Sequence, residues 1–213
     1  MDSCFGPGTR ARVPPGRLRW CVVSHYFESP QGPAPTRLLS VEVWGARRDY
    51  EVAEGVFAGG GLDKATRILL EQSIPPPAGS TVLDLGCGWG PIACTLAAHG
   101  ATVWAVDVND RALELTARNA QGLPVTVARP EDIPADLRFD QIWSNPPIRI
   151  GKQALHDLLA AWLPRLRPGG EARLVVGKNL GADSLQRWLT GQGFPTDRVA
   201  SSKGFRVLSV QST

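Results

Sequence analysis

The chain of 213 residues lacks the features that would mark a membrane protein, a secreted protein or a metal-bound fold. No apolar run reaches the roughly 18 residues that a membrane-spanning helix needs. Residues 1–19 have no apolar core and do not form a secretory signal. The four cysteines are Cys4, Cys21, Cys87 and Cys94. They form no Cys-X-X-Cys pair, and no cluster of histidines lies near them in the sequence. We therefore expect a protein of the reducing cytoplasm without a metal site, a disulfide framework or a membrane partner.

The chain also has little net charge. The formal charge is +3, and the first 24 residues carry all of this excess, because four arginines there face one acidic residue, Asp2. The remaining chain is neutral, so bulk charge gives no argument for a nucleic-acid partner. Residues 1–23 are rich in glycine, proline and arginine, which predicts a disordered leader. One globular domain is then expected over 24–213.

Alternating strand and helix patterns fill the chain from Thr81 onwards. Strands are predicted at 81–85, 102–107, 124–128, 139–144 and 171–177, and helices at 90–99, 109–121, 151–164 and 181–192. Short strands joined by helical crossovers predict a doubly wound α/β sheet with parallel strands. Two further strands, at 197–201 and 205–210, are too close together for a crossover helix and must be antiparallel.

Two elements are expected before this sheet. Alternating apolar and polar residues predict a β-hairpin within 38–56, with the turn at 45–48. A helix is predicted at 63–73, with Asp63 as its N-cap and three consecutive prolines from Pro75 ending it. The predicted fold is thus a seven-stranded, mostly parallel sheet with an antiparallel C-terminal hairpin and an additional N-terminal hairpin.

A glycine-rich loop follows the first strand of the sheet. Gly86, Gly88 and Gly90 alternate there, which lets the backbone turn tightly and approach a ligand closely. Asp84 lies within the strand and could hold the ammonium group of a methionine moiety. Asp107, followed by Val108, ends the next strand, where a carboxylate can accept both hydroxyls of a ribose.

S-adenosylmethionine has a group for each of these two carboxylates: its ammonium group for Asp84 and its ribose hydroxyls for Asp107. A glycine turn without a ligand is the plain alternative, but it gives no reason for the acid on the second strand. NAD is a second alternative, and it fits less well because Asp84 would repel a pyrophosphate. The sequence therefore favours S-adenosylmethionine as the cofactor.

The tetrapeptide Asn145-Pro146-Pro147-Ile148 directly follows the fourth strand of the sheet. Ligands of open α/β sheets bind beyond the carboxyl ends of the strands, so the tetrapeptide should lie beside the cofactor loop. A planar amine is a poor nucleophile because its lone pair is delocalised. The Asn145 side-chain oxygen and the Pro146 carbonyl could accept its two hydrogens and direct its lone pair. The plain alternative is a rigid turn after a strand.

These motifs together resemble a known family, the bacterial small-subunit ribosomal RNA guanine-N2 methyltransferases. The resemblance covers residues 36–211 and is carried by Gly55-Val56-Phe57 with Leu62-Asp63, Asp84-Leu85-Gly86-Cys87-Gly88, Asp107, Ser144-Asn145-Pro146-Pro147 and Gly169-Gly170-Glu171. It implies a class I methyltransferase fold and transfer of a methyl group to an amine of 16S ribosomal RNA. Ile148 departs from the family, where an aromatic residue is usual.

The resemblance also implies roles for individual residues. Phe57 and Asp63 should line the methionine end of the cofactor, with Cys87 in the loop and Asn145 beside it, and Glu131 or Asp132 should lie near the adenine. The implied partner is ribosomal RNA or the small ribosomal subunit, and we expect a monomer. The chain does not show the extra N-terminal methyltransferase-like domain that some relatives have.

Several alternatives stay open at this stage. Arg149 and Lys152 could contact phosphate or could simply be a solvated helix start. The same two acceptors would serve a guanine N2 in a flipped base, an adenine N6 or a glutamine amide. A protein of another class, a non-catalytic assembly factor that binds the cofactor, would have no need of Asn145 and Pro146.

Overall fold

A computed structural model of the chain describes residues 35–53, 61–147 and 150–212. The described residues form nine strands: β1 (Thr36–Val43), β2 (Ala46–Ala53), β3 (Thr81–Leu85), β4 (Thr102–Val106), β5 (Val125–Ala128), β6 (Phe139–Ser144), β7 (Leu166–Gly177), β8 (Thr196–Ser202) and β9 (Phe205–Gln211). Within the same ranges there are five α-helices: α1 (Lys64–Glu71), α2 (Pro91–Ala98), α3 (Asp110–Asn119), α4 (Lys152–Trp162) and α5 (Ala182–Gly191). The leader predicted at 1–23 lies outside the described residues.

The main sheet has the strand order β5-β4-β3-β6-β7-β9-β8. The first five of these strands run parallel, and β9 is antiparallel to both β7 and β8. This confirms the predicted seven-stranded sheet with its antiparallel C-terminal hairpin. Strands β4 and β5 are added on one side of β3, and β6 and β7 on the other. The carboxyl ends of β3 and β6 therefore border the crevice at which α/β sheets bind ligands.

The N-terminal hairpin β1–β2 is confirmed, but its predicted turn was wrong. Val43 pairs with Ala46, so the turn is Trp44-Gly45 and not residues 45–48. Both turn residues have positive φ, 50° and 74°, which suits the twist of a two-residue hairpin. The indole Nε1 of Trp44 donates to the carbonyl oxygen of Ser73 at 3.1 Å, which anchors the turn against the end of α1.

Strand β7 begins five residues before its predicted start. Leu166 already pairs with Phe139, and the register then shifts before Gln141 pairs with Glu171. The cause lies at Gly170, where a Cβ atom would come within 2.9 Å of the carbonyl oxygen of Asp140. The sequence Pro-Gly-Gly resembles a break between elements, whereas here the glycine admits a close approach of two backbones.

Apolar residues cover both faces of the sheet. One core packs α1, α2, α3 and the hairpin against the sheet, and it includes the buried Leu69, Ala93 and Leu115. The other core packs α4 and α5 against the opposite face, and it includes Leu159, Trp162 and Leu189. Asn119 joins the hairpin to this framework, because its side-chain amide binds both the N–H and the carbonyl of Glu51. Among the described residues, no helix is long and apolar enough to cross a membrane.

Candidate active site

Three neighbouring strands bring the predicted site together. Gly86, directly after β3, donates its N–H to the Val106 carbonyl at the end of β4, with a distance of 2.8 Å. The hydroxyl of Ser144, at the end of β6, donates to the Leu85 carbonyl at 2.6 Å. The glycine loop, Asp107 and Asn145 therefore lie side by side at one edge of the sheet. Sequence reasoning did not identify Ser144 as the residue that fixes the spacing between β3 and β6.

The glycine loop uses its three glycines in two different ways. Gly86 and Gly88 have φ of 81° and 58°, and a Cβ atom at either position would meet no heavy atom within 4 Å. This open space above the backbone is where a ligand can approach. Gly90 caps α2 with φ of 86°, and a Cβ there would come within 3.0 Å of the Thr116 side chain. Gly90 thus serves the packing of α2 against α3.

Cys87 turns its side chain away from the open face of the loop. It is buried, and its Sγ lies 3.6 Å from the Thr116 hydroxyl. Burial raises the pKa of the Cys87 thiol well above its usual value, with the charges of Asp107 and Asp84 adding to the rise. This thiol is protonated at neutral pH and has no nucleophilic role.

Asp84 is fully buried beneath the loop. Its Oδ2 accepts the N–H of Ala93 at 2.9 Å, and its Oδ1 has no partner among the described residues. Burial raises the pKa of Asp84 to about 8; the Ala93 N–H opposes the rise and the nearby Asp107 charge adds to it. A buried carboxylate oxygen without a partner is costly, and a cationic ligand group would relieve that cost. The atom therefore fits the ammonium group predicted from the sequence.

Asp107 is held in place by backbone groups. Its Oδ2 accepts the N–H of Gly88 at 2.9 Å, and its Oδ1 accepts the N–H of Asn109 at 3.0 Å. Burial raises the pKa of Asp107, and these N–H groups together with that of Val108 oppose the rise. The residue is half-buried and not fully enclosed. It is therefore oriented before any ligand arrives and keeps acceptor capacity, as a ribose site requires.

Asn145 has both hydrogens of its side-chain amide engaged. Its Nδ2 donates to Asp63 Oδ2 at 2.8 Å and to the Thr66 hydroxyl at 3.0 Å. A carboxylate can only accept, so the amide nitrogen must face Asp63 and the amide oxygen must face away from it. The Asn145 side chain is half exposed, whereas Pro146 is buried. The oxygen of Asn145 is thus a fixed acceptor at the edge of the crevice.

Asp63 caps α1 as predicted. Its Oδ2 accepts the N–H groups of Ala65 and Thr66 at 2.8 and 3.0 Å, in addition to the amide of Asn145. The same oxygen thus anchors the start of α1 and orients Asn145. Sequence reasoning missed Thr66, which is buried and whose only signal was its place one helical turn after the cap.

The other predicted site residues lie farther from these contacts or outside the described part of the chain. Glu131 and Asp132 are exposed on a short 3₁₀ helix, Pro130–Asp132, which follows β5. Lys152 is exposed as the first residue of α4. Phe57, Ile148 and Arg149 lie outside the described residues. Over the described ranges, no group of three or more possible ligand side chains could hold a metal ion.

Fold and site together define a class I S-adenosylmethionine-dependent methyltransferase. The strand order, the glycine loop between two carboxylates and the fixed amide beyond β6 all belong to that class. Residues 49–209 match the methyltransferase small domain family, and the chain belongs to this family.

Individual relatives support this assignment. The chain is 28% identical over 195 residues to the Bacillus subtilis protein YbxB, covering 88% of this chain and 97% of that one. It is 36% identical over 169 residues to ribosomal RNA small subunit methyltransferase C of Chromohalobacter salexigens, covering 75% of this chain and 50% of that one. The chain spans about half the length of the relatives that carry this second name.

Solved structures show the same fold. The 16S rRNA N2 G1207 methyltransferase of T. Thermophilus, in complex with AdoMet and guanosine, superposes with a TM-score of 0.70 at 25% identity, covering 87% of this chain and 53% of that one. A TehB-like SAM-dependent methyltransferase from Corynebacterium glutamicum gives a TM-score of 0.57 at 18% identity, which shows the fold alone. The cofactor predicted from the glycine loop is therefore confirmed as S-adenosylmethionine.

Proposed function

We propose that this enzyme methylates the exocyclic N2 amine of a guanine in 16S ribosomal RNA. The observation that carries the proposal is the fixed amide of Asn145, whose two hydrogens are taken by Asp63 and Thr66. The chemistry of that site calls for a planar amine. Guanine is suggested by the likeness to a relative named ribosomal RNA small subunit methyltransferase C and to a solved enzyme whose name specifies N2 of G1207 in 16S rRNA.

A guanine amine needs two acceptors before it can react. Its lone pair is delocalised into the purine ring, so the nitrogen becomes nucleophilic only as it moves toward tetrahedral geometry. The Asn145 oxygen and the backbone carbonyl of Pro146 would each accept one amine hydrogen and favour that geometry. Pro146 is suited to this role because it has no N–H of its own to compete for the acceptor.

When bound, S-adenosylmethionine supplies an electrophilic methyl group on a sulfonium centre. The residues of this chain then have three tasks: to position the cofactor through Asp107 and the glycine loop, to hold the amine through Asn145, and to exclude competing hydrogen bonds. Positioning of this kind accounts for much of the rate enhancement in enzymes that use no strong base. No general base is required, since the nitrogen becomes acidic once it is methylated.

Asp63 and Thr66 act in this proposal as positioning residues. Without them the Asn145 amide could rotate and present a donor, which would repel the amine hydrogens. The carboxylate of Asp63 prevents that rotation because it accepts and never donates when ionised. Its role thus differs from the one implied by family resemblance, contact with the methionine end of the cofactor.

The test is nucleoside mass spectrometry of ribosomal RNA from cells with and without the protein. We expect one N2-methylguanosine to be absent from the 16S RNA of the deletion strain and restored by the wild-type gene. A loss of N6-methyladenosine, or of a methylated glutamine in a ribosomal or associated protein, would instead identify another amine as the substrate. An unchanged profile of both RNA and protein would contradict the proposal. We further propose that the enzyme acts in the cytoplasm as a monomer, on the small subunit or its RNA.

A further inference from the structure

Lysine is rare in this chain and is confined to one region. Only four of the 23 basic residues are lysines, and all others are arginines. The four are found at the edge of the sheet that carries the candidate active site: Lys64, Lys152, Lys178 and Lys203. We call this set the lysine crescent.

Each lysine occupies a defined position at this edge of the sheet. Lys64 follows Asp63 at the start of α1, and Lys152 begins α4, a few residues after Asn145. Lys178 directly follows the carboxyl end of β7, and Lys203 lies in the turn between β8 and β9. Since β9 is antiparallel to β7, its first residue lies at the same edge as the end of β7.

Backbone and ring contacts connect three members of the crescent. The N–H of Lys178 donates to the Gly204 carbonyl at 2.8 Å, which joins the end of β7 to the turn that contains Lys203. The Nζ of Lys64 lies 5.9 Å from the centre of the Phe205 ring, one residue beyond that turn. Three lysines that are distant in sequence therefore meet around Gly204 and Phe205, and Lys64 adjoins the residue that orients Asn145.

The lysines and arginines differ in their partners. In the described part of the chain, none of the four lysines forms an ion pair, and all four are exposed. Arginines of the same structure pair with carboxylates, as Arg118 does with Glu51 at 2.8 Å and Arg173 with Glu171 at 2.9 Å. Even beside the crescent, Arg206 is paired with Asp183. Several described arginines thus have a carboxylate partner within the domain, whereas none of the crescent lysines does.

The backbone at Lys203 strengthens this contrast. Lys203 has φ of 48°, one of two positive values among the described residues other than glycine. Turns of this type favour asparagine or glycine, and the left-handed backbone conformation is unfavourable for a lysine. A structural role gives no reason to place lysine at this position, whereas a need for positive charge does.

We propose that the lysine crescent binds the phosphodiester backbone of the RNA that surrounds the target nucleotide. Flexible ammonium groups without a carboxylate partner suit phosphates whose positions vary along a folded RNA. Their placement around Asn145 would hold the backbone while the base enters the crevice. This inference rests on the proposed function, because it takes RNA as the carrier of the amine.

The test compares two variants that each lose four positive charges. One changes all four crescent lysines to glutamine. The control changes four exposed arginines that lie away from the site to glutamine. They are Arg47 in the N-terminal hairpin, Arg138 just before β6, Arg187 in α5 and Arg198 in β8. Binding to fluorescein-labelled 16S RNA transcribed in vitro is measured between 50 and 200 mM KCl. Calorimetry with S-adenosylhomocysteine confirms that each variant keeps its fold.

The crescent variant should lose most of the salt dependence of binding. Each phosphate contact contributes about 0.7 to 0.9 to the slope of log Kd against log salt, so the slope should fall by about three. The affinity of the wild type should then decrease about 100-fold more across this salt range than that of the crescent variant. The arginine control should keep the wild-type slope to within about one.

The outcomes separate this inference from the proposed function. Equal slopes in the crescent variant and the wild type would contradict RNA binding by the lysine crescent, even if the wild type methylates 16S RNA. A reduced slope without any methylation of that RNA would support the crescent and contradict the proposed guanine. Lys203→Asn is a further check, since it should stabilise the turn while weakening RNA binding. Unchanged binding would show that Lys203 does not contact the RNA.

Discussion

The two halves of the candidate site hold different ionisable groups. The cofactor half, at the ends of β3 and β4, holds the carboxyl groups of Asp84 and Asp107; burial raises the pKa of each, and a bound cation would favour their charged forms. The acceptor half, at the end of β6, holds the neutral amide of Asn145 and is bordered by the exposed lysines. A cationic methyl donor suits the first half and a polyanionic acceptor the second. The division between carboxyl groups and lysines thus matches the two substrates of the proposed reaction.

The halves also differ in how far their contacts reach along the chain. In the cofactor half, Asp84 binds a residue nine positions away and Asp107 binds one 19 positions away. In the acceptor half, Asn145 binds residues 82 and 79 positions away. A short motif therefore describes the first half well, whereas the second half exists only once α1 has docked beside β6.

The largest effect is expected from removal of the acceptor. Asn145→Ala should lower kcat about 100- to 1000-fold, the cost typical of losing one preorganised group that acts in the transition state. Affinity for S-adenosylmethionine should stay within about twofold of wild type, because the cofactor half is unchanged. Single-turnover kinetics and calorimetry measure the two quantities. Near-wild-type turnover would show that the acceptor half does not act through Asn145.

The complementary change lies in the cofactor half. Asp107→Ala should weaken cofactor binding about 10- to 100-fold, since hydrogen bonds to a charged group contribute about 1.5 to 3 kcal/mol. With saturating cofactor, turnover on RNA should recover toward the wild-type value. Titration calorimetry checks the affinity, and an unchanged Kd would contradict a ribose-binding role for Asp107.

A smaller effect is expected at the residues that orient Asn145. Asp63→Ser keeps a good helix cap but loses the contact to the Asn145 amide, so kcat should fall about tenfold while KM for the cofactor holds. Thr66→Val, which leaves the cap intact, should lower kcat about threefold in the same way. If Asp63 instead bound the methionine end, KM for the cofactor would rise with kcat unchanged, and that split decides between the two roles.

The smallest effect concerns stability and pH. Because the pKa of Asp84 is raised to about 8 in the folded protein, the folded state keeps a proton between about pH 4 and pH 8 that the unfolded chain has already released. The stabilisation of the folded state by this proton is complete below about pH 4 and is lost as pH rises to about 8. Asp84→Asn abolishes it, so the free energy of unfolding of the variant should improve relative to wild type by about 1 to 3 kcal/mol from pH 5 to pH 8.5. Urea denaturation without ligand measures this, and parallel profiles would argue against the raised pKa.

The sequence predicted the sheet and the cofactor half because both depend on local patterns. Strand and helix periodicities determine the α/β architecture, and the glycine loop with Asp107 is a contiguous βαβ motif. The predicted cap at Asp63 followed from one residue type before an apolar run and was confirmed. The C-terminal hairpin followed from a connection too short for a helix.

Three features depended on tertiary contacts and were missed. Trp44 is an unusual turn residue, and its position is secured by the Ser73 carbonyl and by His99, whose ring centre lies 5.0 Å away. The early start of β7 depends on a close backbone approach at Gly170. The contact between Asn145 and Thr66 joins elements that lie 79 residues apart in the chain. No local pattern encodes any of these.

The central claim is that the acceptor half directs a methyl group to a guanine amine, and one measurement tests it directly. Purified enzyme is incubated with 16S RNA transcribed in vitro and S-adenosylmethionine carrying a deuterated methyl group, and the RNA is digested and analysed by mass spectrometry. We expect deuterated N2-methylguanosine with the wild type and none with Asn145→Ala. Label in another nucleoside, or equal label in N2-methylguanosine from both proteins, would contradict it.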